Sequence, residues 1–327
     1  MTRHGVNHEG HNDLKAHKAF VVLVVLVSFV IPAAARCSAQ PAPKFDGGRA
    51  YEDLRQMVAI GPRPAGSPAI EKTRDYIKKQ LTAAGLKPEE QPFDAQTPIG
   101  VIHMVNIRAT LAGPSMPPGT SQAHDRGHIV IGGHYDTKLF HEFPFVGASD
   151  GASSAAFLLE IARAFKGRVN RVPIELLFLD GEEAVRKEWD DKSTDHTYGS
   201  RYYVQQLQRA GAVKDVRAFI LVDMIADRDL DIRREQYSTG WLTDAIWGAA
   251  RRLNRPEFLD EATPIEDDHL EFLQAGIPSV DIIDLDYACC WHRPEDDLSH
   301  VAAGSLQAVG DVLIAALPAI ERRLTTP

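Results

Sequence analysis

Residues 174–183 read Ile-Glu-Leu-Leu-Phe-Leu-Asp-Gly-Glu-Glu, a short apolar run from Ile174 to Leu179 that stops on Asp180-Gly181-Glu182-Glu183. A run of this length is expected of a strand buried on both faces, as in a parallel sheet covered by helices. Working outward, the pattern recurs. His128 to Gly133 reads as a strand and runs into His134-Tyr135-Asp136. Ala218 to Val222 is another buried strand, ending at Asp223, and Val280 to Ile283 leads through a loop to Trp291-His292. Helical stretches lie between: Ala152 to Phe165, Gly199 to Ala210, Thr239 to Leu253, His269 to Gln274, and a closing helix within Leu298 to Leu324. Strands alternating with helices predict one α/β domain of three layers, with a central, mostly parallel mixed sheet flanked by helices.

The preceding residues fit that plan. A helix is expected from Tyr51, then a bend at Gly61-Pro62-Arg63-Pro64. Ser67-Pro68 reads as the N-cap and first residue of a helix with an apolar face of Ile70, Ile77, Leu81 and Ala84, stopped by Gly85. Met104 to Thr110 alternates like a strand, and Pro114 to Gly127 is expected to be a surface loop between hairpin strands.

At the N-terminus, a polar stretch carrying Arg3, Lys15 and Lys18 precedes an apolar run from Ala19 to Ile31, followed by small residues. Residues 1–39 therefore read as a secretory signal peptide cleaved near 35–39, which implies a secreted or periplasmic protein. The run is short of the about 20 residues a spanning helix needs; an uncleaved anchor is the alternative. Cleavage after Ala39 would leave Gln40 as the new terminus. Residues 40–48 look like a linker, and 49–327 like the catalytic domain. The net charge of −9 comes without a dense basic cluster, which argues against nucleic-acid binding. A monomer is expected. Of three cysteines, Cys37 falls in the signal, while Cys289 and Cys290 are adjacent and form either a vicinal disulfide or free thiols.

Ligands of open α/β sheets bind beyond the carboxyl ends of the strands, where this chain gathers His, Asp and Glu. Glu182-Glu183 is the informative pair. Two carboxylates directly after a buried strand repel and cost desolvation; either Arg186 and Lys187 pair with them as exposed groups, or, the favoured reading, one binds a cation and the other stays free to move protons. Asp150, in Ser149-Asp150-Gly151, alone would read as a helix N-cap. Together with Glu183 and His292 it forms an oxygen/nitrogen set suited to Zn²⁺ with an open position.

Several motifs carry a resemblance: HYDTK (134–138), FVGASDGASSAAFLLEIAR (145–163), FLDGEEA (178–184), YGSRYY (198–203), EDDHLEFLQAGIPSV (266–280) and WHRPEDD (291–297). From about Tyr51 onward the chain resembles the glutaminyl-peptide cyclotransferases, within the fold family of zinc-dependent aminopeptidases. The resemblance implies an enzyme with one zinc per chain on Asp150, Glu183 and His292, and Glu182 as general acid/base. It also implies Asp223 and Asp267 as active-site carboxylates sharing a hydrogen-bond network, and Trp291 lining a pocket for peptides with an N-terminal glutamine. Trp189 matches a second such aromatic less closely, because the spacing after Glu182-Glu183 is one residue longer. Glu266 stands where the family has an amide. The animal enzymes' disulfide is absent, since Gly133 and Ala155 occupy those positions. The alternative is a two-zinc aminopeptidase, with Asp150 bridging, His134 and Glu183 on one metal, and Asp223 and His292 on the other. An Asp267–Asp223 pair and Trp291 beside His292 favour the cyclotransferase.

Overall fold

The computed structural model describes residues 43–113, 127–186 and 194–326. The expected signal peptide, the Gln40 terminus and nearly all of the loop expected over 114–127 lie outside them. In chain order the elements are α1 (Gly47–Ile60), α2 (Pro68–Ala83), β1 (Glu89–Thr97), β2 (Gly100–Leu111), β3 (His128–His134), α3 (Ala152–Ala164), β4 (Ile174–Leu179), α4 (Tyr198–Ala210), β5 (Val216–Asp223), β6 (Ile232–Glu235), α5 (Gly240–Arg252), β7 (Phe258–Thr263), α6 (His269–Gln274), β8 (Ser279–Ile283) and α7 (Ala303–Thr325).

The main sheet has the order β1-β2-β4-β3-β5-β8, antiparallel on its β1 side and parallel from β4 to β8. Side-chain alternation sorts its residues into two cores. Ile129, Ile131, Leu176, Phe178, Ile220 and Val222 face the layer of α1, α2, α3, α5 and α7. Val130, Leu177, Leu179, Phe219 and Leu221 face α4 and α6. The expected three-layer α/β architecture is therefore present. Glu175, inside the otherwise apolar β4, is buried between the Arg108 guanidinium at 2.6 Å and the Tyr203 hydroxyl at 2.7 Å.

Local chemistry explains the elements that place the site. Ser67 Oγ accepts from Ile70 N at 3.1 Å, capping α2 as expected. Helix α3 is buried from Ala152 to Ile161 because it lies between the sheet and other helices. It comes close because β3 presents Gly133: a Cβ there would stand 2.6 Å from Ser154 Cβ.

Four expectations change. The strands flanking residues 114–127 do not form a hairpin, because β4 lies between them, antiparallel to β2 and parallel to β3. The linker does not extend to Gly48, since Asp46 caps α1 and Phe45 is buried against Phe157, with Gly310 of α7 leaving it room. Strand β1 was not expected, because only Phe93 and Ala95 of its nine residues are buried. The small parallel sheet of β6 and β7 was also missed, being short and rich in charge. Helix α7 is long and apolar enough to cross a membrane, but its apolar positions are spent in the core formed with α1, α3 and α5.

Candidate active site

The four parallel strands β3, β4, β5 and β8 end on one edge of the sheet, and the ionisable residues after them meet there. Backbone anchors aim them. Asp136, just past β3, accepts from Glu182 N at 3.2 Å and Glu183 N at 3.3 Å, fixing the turn after β4. Asp296 accepts from Ser149 N at 2.8 Å, Asp150 N at 3.1 Å and the Tyr287 hydroxyl at 2.9 Å, fixing the turn before α3. Arg63 is fully buried and donates to the carbonyls of Tyr135, Val146 and Gly147. Burial lowers its pKa to about 10, although Asp296 and Asp136 work the other way. Asp150 is not an N-cap: Gly151 occupies that position at φ 84°, with no side-chain cap.

Ligand atoms of Asp150, Glu183 and His292 lie within 4.8 Å of one another. His292 Nε2 is 3.3 Å from Glu183 Oε2 and 3.6 Å from Asp150 Oδ2. Both Glu183 oxygens are buried and, among the described residues, His292 is the nearest cationic partner while neither oxygen has a hydrogen bond of good geometry. A buried carboxylate in that condition, facing a histidine and a second carboxylate, suits a bound cation. Burial would raise the Glu183 pKa, but His292 outweighs it and holds the group at about 2. Asp150 goes up to about 6 through burial and the charge of Glu183. The His292 backbone has φ 53° and that of Met224, after Asp223, φ 46°, unusual conformations that cluster here. Phe140 and Phe145 set ring edges against His292, and Trp291 stacks on it at 4.4 Å.

Glu182 lies outside this trio. Its Oε2 is 3.6 Å from His134 Nδ1. Burial raises its pKa well above the usual value; His134 opposes this, while Glu183 and Asp267 add to it. His134 also forms a second convergent group with Asp150 and Asp223, its Nε2 standing 3.1 Å from an oxygen of each. Asp223 Oδ1 further accepts from Ser154 Oγ at 3.2 Å. Asp267 is pushed well up by burial and by the charge of Asp223.

Asp150, Glu182, Glu183, Asp223, Asp267 and His292 line a cleft of about 270 Å³, whose walls also include Met224, Ile265, Glu266, Ile283, Leu285 and Trp291. Trp291 at 37% exposure and Leu285 at 38% form its rim. All three expected ligands and all three expected catalytic carboxylates line this cleft, as do Trp291 and Glu266; Trp189 lies outside the described residues. Cys289 and Cys290 are joined as a disulfide directly before Trp291.

Sequence reasoning missed several supporting groups. Asp136 and Asp296 stood inside quoted motifs without a role. Arg63 read only as part of a bend, because its acceptors are carbonyls 72 to 84 residues away. Asp268, bonded to Ser200 Oγ, and Asp281 are buried behind Asp267. Burial and Asp267 together push Asp281 well up, and neither of its oxygens meets a donor.

Residues 115–317 match the model of peptidase family M28. The glutaminyl-peptide cyclotransferase-like protein of Mus musculus is 31% identical over 274 residues, covering 74% of this chain and 67% of that protein. The crystal structure of an Acidobacteriales bacterium glutaminyl cyclase superposes with a TM-score of 0.79 at 35% identity, over 89% of this chain and 100% of the other. A leucine aminopeptidase precursor from Bacteroides thetaiotaomicron reaches 0.73 at 27% identity, over 85% and 98%. The chain thus belongs to peptidase family M28, and within it to the glutaminyl cyclases of the zinc aminopeptidase-like fold.

Proposed function

We propose that the protein converts the N-terminal glutamine of peptides and proteins to pyroglutamate with release of ammonia, using one zinc held by Asp150, Glu183 and His292. The observation that carries this reading is the division of labour between the adjacent Glu182 and Glu183. Glu183 points its buried oxygens at His292, while Glu182 stands apart in the cleft with a raised pKa.

Zinc bound there supplies Lewis-acid polarisation of the substrate's γ-carbonyl. Glu182 takes a proton from the attacking α-amine and returns it to the departing ammonia, a role worth about 10²–10⁴-fold. Burial, Glu183 and Asp267 raise its pKa, which strengthens its hold on that proton. Asp267, backed by Asp223, positions the amide. Trp291 and the apolar wall of Ile265, Ile283 and Leu285 exclude water, which suppresses plain deamidation. The cleft is smaller than the roughly 300–1,000 Å³ of sites for drug-sized ligands, which suits a single terminal residue. The disulfide at Cys289–Cys290 is consistent with a secreted or periplasmic enzyme.

A two-metal aminopeptidase is the second reading, favoured by the convergence of His134, Asp150 and Asp223. One experiment separates the two. The purified protein is incubated with a Gln-initiated and a Leu-initiated peptide, both are read by mass spectrometry, and its metal content is measured. We expect loss of one ammonia from the first, no change in the second, and one zinc per chain. Release of a free amino acid from either, or two zincs per chain, would overturn the proposal.

A further inference from the structure

The cleft holds one terminal residue, so the rest of a peptide substrate must leave it along the surface. A second cavity of about 610 Å³ adjoins it, lined by residues of α4 and α6. Glu266 and Asp267 are the residues common to both linings. Asp267 is buried, whereas Glu266 is exposed at the junction.

The charges along this route are unequal in what they have left to offer. Arg201 is engaged: its guanidinium donates to Glu271 Oε1 at 3.3 Å, to the carbonyls of Thr194 and His196, and to Thr197 Oγ1. Glu271 is therefore paired in turn. Glu266 has no ion pair and no hydrogen bond among the described residues. An unpaired carboxylate thus stands at the junction of the two cavities.

We infer that Glu266 is a specificity-determining residue, selecting substrates with Lys or Arg immediately after the terminal glutamine and disfavouring Asp or Glu there. The inference rests on the cyclotransferase reading and names a substrate class for it. An exposed carboxylate–ammonium pair in water supports discrimination of roughly threefold, and salt weakens it.

The test uses three peptides of equal length beginning Gln-Lys, Gln-Ala and Gln-Glu, with kcat/KM measured at low and high ionic strength. Wild type, Glu266→Gln and Glu266→Lys are compared. The Lys/Glu ratio is taken within each enzyme, so differences in active fraction cancel. We expect a ratio of roughly three or more against Gln-Glu in wild type, falling towards unity in Glu266→Gln and at high salt, and inverting in Glu266→Lys. A ratio near unity in wild type, or one that survives both substitutions, overturns the inference while leaving cyclisation of Gln-Ala intact. If none of the three peptides is cyclised, the reading beneath fails and the inference with it.

Discussion

At the scale of single residues, the site shows how little of an active centre consists of its reactive atoms. Glu182 and Glu183 differ by one position, yet Glu183 stands against His292 and Glu182 against His134. Replacing Glu182 with Gln keeps shape and removes the movable proton. Turnover should fall by about 10²–10⁴-fold or more, with zinc content unchanged by metal analysis. Retained turnover would strip Glu182 of its role. Asp296 is buried and does not line the cleft, but its carboxylate holds two buried N–H groups and the Tyr287 hydroxyl. Asp296→Ala leaves those donors orphaned at about 1–3 kcal/mol each. Zinc affinity should weaken by roughly 10–100-fold, as for other supports of metal ligands. A zinc titration and a urea midpoint check both halves.

At the scale of elements, the close approach of α3 to the sheet puts Asp150 in place. The turn leading into α3 depends on a residue that tolerates φ 84°: a Cβ at Gly151 would lie 2.3 Å from the Asp136 carbonyl oxygen. Gly151→Ala should therefore cost more than about 2 kcal/mol, from the left-handed backbone and the clash together. Gly48→Ala is the control. It sits in the first turn of α1 at ordinary φ, its nearest neighbour is a side-chain oxygen at 3.4 Å, and helix propensity favours alanine by about 1 kcal/mol. Equal urea midpoints for the two variants would count against the steric account.

At the scale of the whole molecule, the fold tolerates many buried carboxyls on one edge of the sheet. Burial lifts Asp180, Asp268 and Asp296 to about 7. Between an unfolded value near 4 and that raised value, the folded chain keeps a proton that the unfolded chain has released. Stability from such a group is full below about pH 4 and is lost as pH rises through about 7. Asp268→Asn keeps an acceptor for Ser200 and removes one such group. The decline in Tm of metal-free protein between pH 4 and 7 should become shallower in this variant. An unchanged slope would show that Asp268 is not among the groups responsible.

The local pattern was enough for the parallel strands and the helices between them. A buried strand and an amphipathic helix leave periodicities that need no partner to be recognised. The residues at the strand ends were legible for the same reason: a carboxylate pair after an apolar run is too costly to be there without a task. Strands β1, β6 and β7 were not legible, because their burial comes from neighbours and their own residues are mostly polar. Only the tertiary structure revealed Arg63, Asp136 and Asp296 as anchors. Their partners are mostly backbone groups of distant loops, and a backbone N–H or carbonyl is identical at every position, so composition cannot reveal which one a side chain will meet.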